Sequence, residues 1–123
     1  MMRAVLAQQG RTLAPEGNFN NEIGVPLTHL ALEPAVEYAG LEMGSSKAGD
    51  ISWLRHIVRP TVALLLTVMP AHLQGFGTLE DIASAKGEIF DGLGAGDCAV
   101  INADLPWAAT WRERAGAASV IDF

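Results

Sequence analysis

Apolar positions along the chain follow two different rhythms. Ile51, Leu54, Ile57 and Val58 fall at helical spacing, which predicts a helix over Ile51 to Val58 that Pro60 stops. Thr61 to Val68 is instead an unbroken run rich in leucine and valine, the pattern of a strand in a parallel sheet covered on both sides. Tyr38 to Met43 reads as an earlier strand ending at Gly44. Thr78 fits an N-cap with Asp81 in the acidic first turn, and Leu79, Ile82, Ala83, Ile89 and Phe90 supply the helical stripe. Asp97 to Ala103 reads as a third strand, Pro106 to Ala115 as a helix and Ser119 to Asp122 as a last short strand. Strand and helix alternate, so the fold class is α/β, a mostly parallel sheet with helices on both faces and right-handed crossovers. Met1 to Gln9 has helical composition, yet no strand precedes it, so the sheet is expected to be incomplete at the N-terminus. A missing first strand exposes its neighbours to dimerisation or strand exchange.

Length and composition narrow this further. The 123 residues, half of them hydrophobic and 18% charged, are expected to form a single domain over 1–123 with a packed core. The formal net charge of −6 disfavours nucleic acid and anionic membrane surfaces as partners. The longest strongly apolar run, Val62 to Leu66, is too short to span a bilayer. Ala4 to Ala7 is likewise too short for a secretory signal, so a cytoplasmic protein is expected. Cys98, the one cysteine, sits in the apolar stretch Cys98-Ala99-Val100-Ile101 and reads as a buried structural thiol.

Five segments carry residues suited to chemistry. Gly17-Asn18-Phe19-Asn20-Asn21-Glu22-Ile23-Gly24-Val25-Pro26 is dense in turn formers, and its carboxamides suit either an ordinary loop or a polar ligand. Glu42-Met43-Gly44 ends a strand, where a carboxylate serves equally as a solvated acid or as a ligand for a hard cation. Pro70-Ala71-His72-Leu73 with Gly75-Phe76-Gly77 follows the next strand, and its histidine is structural or functional. Ala85-Lys86-Gly87-Glu88-Ile89-Phe90 places Lys86 within a helix, which on spacing alone is a solvated position. Ile101-Asn102-Ala103-Asp104 is a further strand end with polar groups beyond it. Gly92-Leu93-Gly94-Ala95-Gly96 follows a helix and enters a strand, the reverse of a dinucleotide loop, and reads as a turn.

In this order, the five segments resemble the central ATP-binding domain of the Mur ligase family, a likeness that runs almost from end to end. Residues Gly17 to Pro26 and Phe76 to Phe90 are most similar to members that join D-alanyl-D-alanine to UDP-N-acetylmuramoyl-tripeptide in peptidoglycan synthesis. The resemblance implies an ATP- and Mg²⁺-dependent ligase, in which the γ-phosphate activates a substrate carboxylate as an acyl phosphate that an amine then attacks. It implies Glu42 and His72 as metal ligands, with Lys86 carbamylated and supporting a second metal ion. His72 and Lys86 thereby become catalytic, while Asn20, Asn21, Asn102 and Asp104 fall near the nucleotide. Carbamylation requires a neutral amine, which a lysine of pKa about 10.4 supplies at pH 7 only when its environment depresses that value.

The departures from the pattern are specific. The family's Gly-Lys-Thr or Gly-Lys-Ser phosphate loop does not occur in these residues, and neither do the flanking domains, so the chain by itself is expected to be inactive and to associate with the missing parts. Lys47 stands where relatives usually have histidine, Thr67 replaces an asparagine, Met69 a small residue and Leu105 an aspartate. Two other readings stay open: another ligase of this type, similar to folylpolyglutamate synthase or cyanophycin synthetase, and a non-catalytic α/β binding module.

Overall fold

Pairing and packing divide the chain into two units, Met1–Gly44 and Ser45–Phe123. The computed structural model describes residues 2–15, 17–70 and 76–123. In the first unit, α1 (Met2–Leu6), β1 (Thr12–Leu13), α2 (Gly24–Leu30) and β2 (Tyr38–Ala39) follow one another. Strands β1 and β2 pair in parallel, Thr12 opposite Tyr38 and Leu13 opposite Ala39. Pro15 lacks an amide hydrogen, which limits the ladder beyond Leu13. The strand expected over residues 38–43 therefore shrinks to two paired residues, closed by a bond from the Gly40 amide to the Leu13 carbonyl.

Helix α2 was not legible as a helix. Residues 17–26 read as a turn, and the turn is real only as far as Ile23. There the Asn21 Oδ1 accepts the amides of Ile23 and Gly24 at 3.1 and 2.8 Å, which launches the helix. Gly24 is required by a close approach, because a Cβ there would fall 2.6 Å from the Phe19 side chain. Pro26 sits in the first helical turn, where its missing donor is tolerated.

The second unit contains α3 (Asp50–Val58), β3 (Val62–Leu65), α4 (Leu79–Gly87), a 3-10 turn (Glu88–Phe90), β4 (Cys98–Ile101), α5 (Ala108–Ala115) and β5 (Ser119–Asp122). The sheet order is β3-β4-β5, parallel throughout, with Val62 opposite Cys98 and Cys98 opposite Ser119. The α/β class and parallel pairing agree with the sequence reading. Both faces of β3 are apolar, but their environments differ: Ala63 and Leu65 are buried, whereas Val62 is 60% exposed. Cys98 shares the alternation of Val62 and is half-buried rather than buried.

The core lies on the face of Ala63, Leu65, Ala99 and Ile101, packed with Ile82, Phe90, Leu93 and Trp111. Burying a side chain such as Phe90 contributes about 1.5–3 kcal/mol. The Trp111 Nε1 donates to the Ala83 carbonyl at 3.2 Å, so its one polar atom is satisfied inside the core. Gly87 makes the contact between α4 and α5 possible, since a Cβ there would stand 2.7 Å from the indole. The expected cap on α4 is present: Thr78 and Asp81 form a reciprocal capping box. Arg59, in the left-handed region at φ 49°, ends α3 just before Pro60. Among the described residues no helix is long and apolar enough to cross a membrane.

Candidate functional site

Two of the five sequence clusters form one hydrogen-bonded cluster in the first unit. The Asn20 carbonyl accepts the Gly44 amide at 2.6 Å. Its carboxamide Nδ2 donates to Glu42 Oε1 at 3.2 Å and to Asn18 Oδ1 at 3.1 Å. Asn20 thus touches both the acid and the glycine of Glu42-Met43-Gly44. The glycine is needed there, because a Cβ on Gly44 would lie 3.1 Å from the Asn20 carbonyl oxygen. Glu42 is exposed and offers hard oxygen atoms, the donor type that Mg²⁺ takes while keeping part of its water shell. On donor chemistry, Glu42 fits a magnesium ligand. Asn21 is also exposed, and its carboxamide oxygen is spent on the entry to α2.

The remaining candidates that are described belong to the second unit. Lys86 lies near the end of α4, half-buried between the buried Ala85 and Gly87. Asn102 follows β4 directly; its Nδ2 donates to the Leu66 carbonyl at 2.9 Å and its Oδ1 accepts the Asp104 amide at 3.0 Å. Asn102 therefore ties the carboxyl ends of β3 and β4 together and shapes the turn that presents the exposed Asp104. Among the described residues, no hydrogen bond joins Lys86 to Asn102 or Asp104, and no three acidic, imidazole or thiol groups gather as a metal site. His72 lies outside the described residues.

Sequence reasoning missed a residue that organises the start of α3. Gly49 is the N-cap and has no side chain to cap with. Glu88 supplies the carboxylate from a distant turn, accepting the Gly49 amide at 2.9 Å and the Ser52 amide at 3.0 Å. The signal in the sequence was a helix start with glycine in place of a capping side chain, which says that a partner is needed but not which one. Asp50 completes this region by accepting the Ser46 amide and hydroxyl and the Lys47 amide. Desolvation alone pushes the Asp50 carboxyl up. The amides of Ser46 and Lys47, the Ser46 hydroxyl and the Lys47 charge outweigh it, and hold the group below its ordinary value of 3.8. Leu105, a departure from the family pattern, packs against the core.

Comparison with known proteins decides the family. The model of the Mur ligase middle domain matches residues 1–123. This chain belongs to the Mur ligase family. The UDP-N-acetylmuramoyl-tripeptide–D-alanyl-D-alanine ligase of Escherichia coli (strain K12) is 44% identical to this Mur ligase domain over 123 residues, which is 100% of this chain and 27% of the relative. The protein of that name from Bacillus subtilis (strain 168) is 45% identical over 93 residues, covering 76% of this chain and 20% of the relative. A solved MurF from Acinetobacter baumannii superposes with a TM-score of 0.91 at 33% identity, over 98% of this chain and 26% of that one. MurF ligase from Thermotoga maritima in complex with ADP gives 0.80 at 35% identity, over 96% of this chain and 27% of that one. The chain spans about a quarter of the length of these relatives. The family resemblance carried by the five segments is thereby borne out.

Proposed function

We propose that this Mur ligase domain serves as the nucleotide-handling part of a ligase that joins D-alanyl-D-alanine to UDP-N-acetylmuramoyl-tripeptide with ATP in the cytoplasm. The observation that carries the reading is identity of 44% over the whole chain to a relative of that name, beside the hydrogen-bonded cluster of Asn20, Glu42 and Gly44 in this chain. In this reading Glu42 is a magnesium ligand, and the family resemblance implies His72 as another. When bound, Mg²⁺ neutralises charge on the phosphates of ATP and on the transferred phosphoryl group. Lys86 presents its amine for carbamylation near the end of α4, where Gly87 and Glu88 fix the backbone that follows. Asp104, held out by Asn102, and Asn21 contribute polar groups toward the nucleotide.

The test is a chimera in which these 123 residues replace the matching segment of the Escherichia coli relative. Phosphate release that requires ATP, the tripeptide precursor and D-alanyl-D-alanine together is the expected result. A folded chimera that binds the UDP-linked precursor and releases no phosphate overturns the reading in favour of a non-catalytic module. Release that depends on a different amino acid or peptide instead favours another ligase of this type. For the 123-residue chain alone we expect no phosphate release, because it contains no Gly-Lys-Thr or Gly-Lys-Ser loop to cradle the phosphates.

A further inference from the structure

We infer that Asn20 is a positioning residue for Glu42, rather than a direct contact to the nucleotide. The inference rests on the reading of Glu42 as a magnesium ligand and adds what orients it. A carboxylate on an exposed glutamate rotates about several bonds and presents its oxygens in many directions. Glu42 is exposed in this way, yet its Oε1 accepts from Asn20.

Asn20 is well placed to impose one direction. A carboxamide has two N–H donors in a plane. One points to Asn18 Oδ1 at 3.1 Å, which fixes the roll of the group, and the other then faces Glu42 Oε1 at 3.2 Å. The Asn20 backbone is fixed independently by the Gly44 amide. The acid is thus held at two points by one residue, through its own carboxylate and through the amide two positions later. With Oε1 engaged by a neutral donor, Oε2 is the oxygen directed to a cation. This is the arrangement in which a neighbour that never touches the metal still sets its affinity. Asn18, Asn20, Glu42 and Gly44 thus form one unit here, in which each one's geometry depends on another's.

The experiment uses the full 123-residue chain, labelled with ¹⁵N and titrated with Mn²⁺ as a paramagnetic stand-in for Mg²⁺. In the parent chain, amide signals around Glu42 and Gly44 should broaden first. Glu42→Gln should abolish that broadening. Asn20→Ala removes the carboxamide but keeps the backbone carbonyl, so protection of the Gly44 amide from exchange should persist while the Mn²⁺ midpoint weakens about tenfold or more. Asn18→Ala frees the roll of Asn20 and should weaken the midpoint by less. If Glu42→Gln leaves the broadening unchanged, or the parent shows none there, the metal reading itself fails. If Glu42→Gln abolishes it while both asparagine variants bind like the parent, the metal reading stands and the positioning role is overturned. Should Asn20→Ala lose Gly44 protection, Asn18→Ala decides alone, and parent-like binding in it overturns the proposal.

Discussion

Each of the two units of this chain is held together internally by a different kind of force. Of the buried hydrophobic residues among those described, Val25 alone lies in the first unit, whereas a continuous cluster from Ala63 to Ala115 lies in the second. The first unit leaves Phe19, Ile23, Leu27 and Leu30 exposed and relies on amide and carboxamide bonds around Asn20, Asn21 and Glu42. Apolar burial is non-directional and tolerates small shifts, while a hydrogen bond fixes both distance and angle. The difference is suited to the proposed chemistry: the second unit supplies stability, and the polar lattice of the first supplies the direction of one carboxylate.

The comparison is broken most severely in the core. Trp111→Ala should cost about 3–5 kcal/mol in urea unfolding of the second unit, because it leaves a cavity and removes the bond from the indole Nε1 to the Ala83 carbonyl. A loss below 1 kcal/mol, about a quarter of the cost of such truncations, would mean that the indole is not the centre of that unit. Gly87→Ala forces a methyl against the same ring and should cost about 1–3 kcal/mol by the same measurement. Glu88→Ala removes the cap from α3, with an expected cost of about 1 kcal/mol and faster hydrogen exchange at Gly49 and Ser52.

A smaller effect follows from pH. Asp50 is held below 3.8 in the folded chain, so the unfolded chain takes up its proton first as pH falls. Its contribution is fully present above that value and is lost as pH drops through the lowered one. Asp50→Asn should therefore flatten the acid side of the stability curve, and an unchanged acid limb would show that these hydrogen bonds contribute nothing. Leu27→Gln, on the exposed face of α2, should change stability by less than about 0.5 kcal/mol.

The contrast between the units also explains what the sequence revealed. Helix α3, the capped α4, strand β5 and the parallel order were legible because apolar spacing, Thr78 with Asp81, and Pro60 are local signals. Helix α2 was hidden, because Asn21 and Gly24 are turn formers, and the bond from the Gly24 amide to the Asn21 side chain starts a helix in which only Gly24 and Val25 are buried. Strand β2 was overestimated, since pairing depends on a partner that Pro15 cuts short. The family was legible in five segments. That Asn20 serves Glu42 was not, because the link spans 22 positions in the chain and rests on a carboxamide whose direction only the fold determines.

The central claim is that these residues handle a magnesium nucleotide in a ligase, and Glu42 is its most exposed point. The decisive measurement is the kcat of the active chimera carrying Glu42→Gln, with its KM for the tripeptide precursor as the control. A fall of about 100-fold or more in kcat is expected, with that KM little changed. Turnover at the parent rate would contradict it.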